Sequence, residues 1–212
     1  MDLQDKNGLS PLRYAASPSD VLLEISKSLI EIGADENKCA KIKSSLLMIA
    51  CKYSCLNAVH FLIECGVNMA FKDSDGYTAL HHACNSHYVK CLIQSGADVN
   101  LLNAVTFLTE HGANMALKDS DGYIALHHAS NSHYSHEILK CLIQSGADVN
   151  ECTKTKSTPL MMACKCGLLN AVTFLTEHGA NMAFKDSDGL YSSSPYLQFS
   201  FTSLYYTFKL FD

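Results

Sequence analysis

D-S-D-G-Y-T-A-L-H-H-A, residues 73–83, joins a turn signal to a helix start. Asp and Gly supply the turn chemistry, Thr78 is a good N-cap, and Leu80 and Ala83 stand three apart on one helix face. The combination returns as D-S-D-G-Y-I-A-L-H-H-A at residues 119–129. Related starts read S-P-L-R-Y-A from Ser10, S-L-L-M-I-A from Ser45 and T-P-L-M-M-A from Thr158. Working outward, a second signal recurs downstream: a glycine, a small apolar residue, then Asp or Asn. It stands at Gly33, Gly66, Gly96, Gly112, Gly146 and Gly179, with spacings of 33, 30, 16, 34 and 33 residues. A period of about 20 to 50 residues marks an array of units that bury their apolar faces on one another.

Each unit reads as two helices. Ser10, Ser45, Thr78 and Thr158 can cap the first, and Pro11 and Pro159 then sit where a missing N–H costs nothing. Ile124 has no side-chain acceptor, so its copy should lose about 1 kcal/mol at that helix start. Leu12, Leu47, Leu80, Leu126 and Leu160 are each followed three residues later by alanine, a stripe that lets neighbouring helices approach closely. Val59, Leu62 and Ile63, or Leu139, Leu142 and Ile143, form the matching face of a second, outer helix, which the glycine closes in a left-handed cap.

The pattern D-x-x-G, T-P-L-H-x-A, two helices and G-A-D-V-N resembles the ankyrin repeat, and the resemblance covers about residues 5–189. It implies an all-α solenoid of stacked antiparallel helix pairs. The expected units are about 5–39, 40–72, a shortened 73–100, a half repeat at 101–118, 119–152 and 153–185. A non-repeat tail, 190–212, follows, with eight of the chain's 19 Phe and Tyr. This aromatic tail could be a surrogate cap, a docking segment or sequence from outside the original reading frame; the abrupt change in composition favours the last.

The spacing of 16 has a specific origin. Residues 102–122 recur at 169–189 with one change, Leu117 to Phe184. Between A-D-V-N and L-L-N-A-V the later copy carries 17 residues, 151–167, which the earlier copy lacks after Asn100, and N-S-H-Y-V-K is four residues shorter than its counterpart. The expectation is an outer helix at 101–111 without an inner partner, packed on a neighbouring outer helix, and a stack that bends or splits near 97–123. The tips of the units also differ: Asp73 and Asp75, Asp119 and Asp121, and Asp186 and Asp188 make some acidic, whereas Lys41 and Lys43, and Lys154 and Lys156, make others basic. Acidic and basic tips are expected to alternate along one edge, either as a merely solvated edge or as a striped rim that selects a partner.

Composition bounds the function. The chain of 212 residues is 48% apolar with a net charge of −5, which speaks against a nucleic-acid backbone as partner. No apolar run approaches the roughly 20 residues of a membrane span, and the first residues lack a secretory pattern, so a cytoplasmic protein is expected, with the nucleus as alternative. Its ten cysteines are then reduced thiols. Cys51, Cys84 and Cys164 share a place with Ser130, and Cys91 and Cys141 share one with Phe61, Phe107 and Phe174, which marks packing sites.

Partners of ankyrin-like arrays are held by turn tips and exposed inner-helix positions. The resemblance therefore points to Ser74, Asp75, Tyr77, Asn85 and Ser86, to Ser120, Asp121, Tyr123, Asn131 and Ser132, and to Lys41, Lys43, Lys154, Lys156 and Lys165. Tyr77 and Tyr123 are the best anchors, being large and rigid with a polar tip. Any one of these residues, taken singly, is as well read as a neutral surface position. His81 and His127 match the family's structural histidine; His82 and His128 share a place with Ile49 and Met162 and read as half-buried packing groups. Zinc is disfavoured, because adjacent histidines point about 100° apart on a helix and no C-x-x-C pair completes a ligand set. No cofactor or enzymatic motif is found. The expected function is a protein–protein interaction scaffold or adaptor. The alternatives are a fragment of a larger signalling or degradation protein whose activity lies elsewhere, and an enzyme hidden in the Cys and His positions.

Overall fold

The computed structural model describes residues 23–24, 27–28, 36–85, 101–131 and 136–189. The unit expected at 5–39 lies mostly outside these residues, as do segment 86–100 and the tail from Leu190. Every element of the described residues is a helix: α1 (Glu36–Lys52), α2 (Leu56–Glu64), α3 (Ala79–Cys84), α4 (Leu101–Glu110), α5 (Ala125–Ala129), α6 (His136–Gln144), α7 (Pro159–Lys165) and α8 (Leu169–Glu177).

Odd-numbered helices form an inner row, in which α1 packs on α3, α3 on α5 and α5 on α7. Even-numbered helices form the outer row, in which α2 packs on α4, α4 on α6 and α6 on α8. Between the rows each inner helix packs on the next element in sequence, and α3 packs on α4. That last contact corrects the sequence expectation: α4 has an inner partner, and it is α3. Among the described residues the missing 17 leave no vacancy, because α4 takes the outer place beside α3 and one row of pairs runs from α1 to α8. Among the described residues the apolar core is correspondingly continuous, from Leu46 to Ala180, with no split at residues 101–123.

Equivalent local bonds show that α4 is an ordinary outer helix. Ala113 N–H donates to Leu108 O at 2.9 Å, as Ala147 does to Leu142 at 3.0 Å and Ala180 to Leu175 at 2.9 Å. Two residues after each cap a side-chain oxygen turns the chain, Asn114 to Ala116 N–H at 2.9 Å and Asn181 to Ala183 N–H at 2.8 Å. This explains the Asp or Asn of the second signal, since both side chains bond their own backbone two residues on.

A second correction concerns α1. Its 17 residues run unbroken through Lys41, Lys43 and Ser45, so this segment has no basic tip and Ser45 is no N-cap. E-N-K-C-A-K-I-K-S-S-L-L-M-I-A holds neither Gly nor Pro, and nothing in it demands a turn. Ile124 does occupy the N-cap place of α5 and makes no side-chain bond there. Its own N–H is nonetheless satisfied by His127 Nδ1 at 3.2 Å, and the side chain is buried in the core. Burial of a branched side chain thus offsets at least part of the expected capping loss.

Leu108 of α4 and Leu175 of α8 are both wholly buried. Leu108→Ala is therefore expected to destabilise the protein about as much as Leu175→Ala, by about 3 kcal/mol. Chemical denaturation of the two variants checks this, and a negligible cost at Leu108 would mean that α4 is not seated on α3.

Candidate protein-binding edge

The D-S-D-G-Y tips are organised by their first aspartate. Asp73 Oδ1 accepts the N–H groups of Asp75 at 3.0 Å and Tyr77 at 2.8 Å, while Oδ2 accepts from His82 Nε2 at 2.8 Å. Asp119 repeats the arrangement with Asp121 and Tyr123, both at 2.9 Å, and His128 at 3.0 Å. His82 and His128 are thus more than packing groups: each ties an inner helix to its own tip. At the basic tip Thr153 replaces the aspartate, its Oγ1 accepting from Ser157 N–H at 3.0 Å, and Met162 replaces the histidine. The pairs Asp73/His82, Asp119/His128 and Thr153/Met162 share one spacing of nine residues.

His81 and His127 bond forward as well as locally. Thr78 N–H donates to His81 Nδ1 at 3.1 Å, so that nitrogen carries no proton and Nε2–H donates to Tyr123 O, 3.1 Å away on the next tip. His127 does the same between Ile124 and Ser157 O, at 3.2 Å. Burial pushes both imidazoles down to about 4, against an ordinary 6.5, and holds His82 and His128 low as well. The partial counter-pull of Asp73 and Asp119 does not reverse this.

Backbone bonds join neighbouring tips into an edge. Ser120 N–H donates to Asp75 O at 2.9 Å, Lys154 N–H to Asp121 O at 3.1 Å, and Ser187 N–H to Thr155 O at 3.0 Å. Such close approach explains the turn glycine: a Cβ on Gly122, at φ 87°, would lie 2.8 Å from Lys154 N. Lys156 holds the equivalent left-handed place at φ 58° with a side chain that points into solvent. Along the edge the order is acidic, acidic, basic, acidic. The expected alternation is therefore wrong, because tip 119–123 stacks directly on tip 73–77 once α4 has closed the pair begun by α3.

Of the residues that the sequence singled out, Tyr77, Asn85, Asp121, Tyr123 and Asn131 line one open pocket of about 280 Å³. His127, His128 and Met162, read from the sequence as structural, complete it. The nine-residue pairing was the signal that could have placed His128 and Met162 beside the tips. Ser74, Asp75 and Ser120 are exposed on the tips, as are Lys154 and Lys156, and Lys165 is exposed at the end of α7. Lys41 and Lys43 lie within α1 rather than on a tip, and Ser86 and Ser132 lie outside the described residues. Among the described residues no three His, Cys, Asp or Glu side chains are grouped to hold a metal ion. Cys51 and Cys84 are core groups whose thiols burial pushes far up, and Cys164 is pushed up to about 12.

The family described as ankyrin repeats (3 copies) matches residues 12–103 and 100–186. The chain belongs to the ankyrin-repeat family. Ankyrin repeats are in general protein–protein interaction modules and typically non-enzymatic. The chain is similar to two proteins of fowlpox virus (strain NVSL) that bear the name "Putative ankyrin repeat protein". It is 33% identical to FPV034 over 48% of this chain and 24% of that protein. It is 32% identical to FPV115 over 41% of this chain and 20% of that protein. The chain thus matches about a quarter and a fifth of the length of these two relatives.

The geometry of the ankyrin tips sets a pH dependence and the sign of two substitutions. The unfolded histidines bind protons below pH 6.5, whereas folded His81 and His127 resist them until about pH 4. Stability is therefore full above pH 6.5 and is lost as pH falls through that window. Each tenfold change in proton affinity is worth about 1.4 kcal/mol, so the melting temperature should drop on the order of 10 °C between pH 7 and 4.5. His81→Gln with His127→Gln should flatten the dependence; an unchanged slope in calorimetry would refute the assignment. Second, Lys156→Gly should stabilise by about 0.5–1 kcal/mol, since the left-handed strain relieved exceeds the added chain entropy. Gly122→Ala should cost about 2 kcal/mol or more. Thermal melts of the two variants check both signs.

Proposed function

We propose that this chain is a binding scaffold or adaptor that holds another protein against its tips and inner helices, with no chemistry of its own. The observation that carries this reading is the joined edge of tips, which puts Tyr77 and Tyr123 beside a pocket with Asn85, Asp121 and Asn131. Large rigid aromatics with polar tips anchor protein partners well. The acidic, acidic, basic, acidic order along the edge would select a partner of complementary charge. A nucleic-acid backbone would meet Asp75 and Asp121 first, which favours a protein. The histidines and cysteines have structural tasks in this reading, as bonds between tips and helices and as core groups, so neither metal, cofactor nor membrane enters it. The deep burial of Cys51 and Cys84 as thiols fits the cytoplasm, with the nucleus as alternative.

A second reading has one specific support. Because the relatives are about four to five times as long as the matched stretch, the array would serve as the recognition part of a longer signalling or degradation protein whose activity lies in another segment.

Affinity capture with mass spectrometry tests the edge. A partner retained by the wild type should be lost with Tyr77→Ala plus Tyr123→Ala, and weakened by Lys154→Glu plus Lys156→Glu. It should be kept by Glu137→Ala plus Lys140→Ala on the outer helix α6. Loss with the α6 variant and retention by the tip variants would place binding on the outer row and refute the reading.

A further inference from the structure

We propose that the pocket lined by Tyr77, Tyr123 and Asp121 seats one arginine side chain of the partner protein. The proposal rests on the binding role given above and adds the chemistry of its anchor.

The place of α4 sets which tips meet at the pocket. Tip 119–123 is bonded directly to tip 73–77 through Ser120 N–H and Asp75 O, so two acidic tips with two tyrosines stand side by side. Tyr77 and Tyr123 both line the pocket. His128 lies between them, its ring centroid 5.1 Å from that of Tyr77 and 5.6 Å from that of Tyr123. Asp121 brings an exposed carboxylate, and Asn85 and Asn131 bring amide groups. About 280 Å³ of space is enough for one long side chain, and the walls hold neither lysine nor arginine.

A planar guanidinium suits each wall. It stacks on aromatic faces, and its fork of N–H groups matches a carboxylate. An anionic side chain would face Asp121 with Asp73, Asp75 and Asp119 close behind. An apolar one would cover Asp121 without giving its carboxylate a partner, which costs binding. Burial and these same four carboxylates push the Tyr77 phenol up, a sign of negative potential at the pocket wall. The histidine walls stay uncharged near neutrality, since burial pushes His127 and His128 down. Toward the next tip the chemistry changes: Thr153 and Met162 replace the Asp–His pair, Met162 itself lining the pocket, and Lys154 and Lys156 form that tip.

The test uses the full chain, immobilised, and a displayed library of random nonapeptides. The pool selected on the wild type should converge on peptides with one fixed arginine. Replacing that arginine by citrulline, its neutral isostere, should weaken binding about tenfold. Asp121→Asn should weaken the arginine peptide by a similar factor and leave the citrulline peptide unchanged. The Asp121 side chain is exposed and only its backbone is bonded, so the variant should melt with the wild type; the citrulline comparison decides the matter without any change to the protein. A selected motif without a basic residue, still lost with Tyr77→Ala, would overturn the arginine anchor and leave the binding edge standing. Failure to select any peptide over an unrelated protein would overturn both.

Discussion

No pair of short helices can seal Leu80 or Leu126 from water alone; each becomes fully buried only when the next pair is laid against it. This constraint governs everything else in the chain. It explains why alanine follows the inner-helix leucine three residues later, since the inner helices must come close to share one core. It also explains why the loss of 17 residues does not break the array. An outer helix with Val105 and Leu108 to bury needs an inner helix, and α3 offers one. The row therefore closes over the missing segment.

Closing the row has an electrostatic consequence. Had the missing segment been present, a basic tip would stand between the two acidic ones. Instead Asp75 and Asp121 are on neighbouring tips, linked by a backbone bond, with Tyr77 and Tyr123 beside them. The lost length thus rewrites the pattern of charge along the edge while leaving the stacking intact. Apolar burial needs only shape and area, whereas the charge order depends on which unit follows which.

The histidines show how one residue type serves two connections. His81 and His127 hold the start of their own helix with Nδ1 and the next tip with Nε2. His82 and His128 brace the aspartate that shapes their own tip. Neutral imidazole, with one donor and one acceptor, is suited to both tasks, and burial keeps it neutral. Each tip is cross-braced for this reason, and an edge so braced would lose less entropy on holding a partner.

The repeat, the helix pairs and the leucine–alanine stripe were legible in the residues, because periodicity and capping are local properties that each unit declares for itself. Tyr77, Asn85, Asp121, Tyr123 and Asn131 stood out by their recurring positions on tips and inner helices, and the structure brings all five to one pocket. The partner of α4 was not legible: its nearest inner helix in space is separated from it by residues 85–100, and a local pattern carries no record of such pairing. Lys41 and Lys43 misled for the opposite reason, since their likeness to Lys154 and Lys156 says nothing about whether the chain turns or continues as a helix. What the sequence determined by itself was the unit and its faces. Which units became neighbours, and so which charges stand side by side, was decided only by the tertiary structure, because burial is settled between units and not within them.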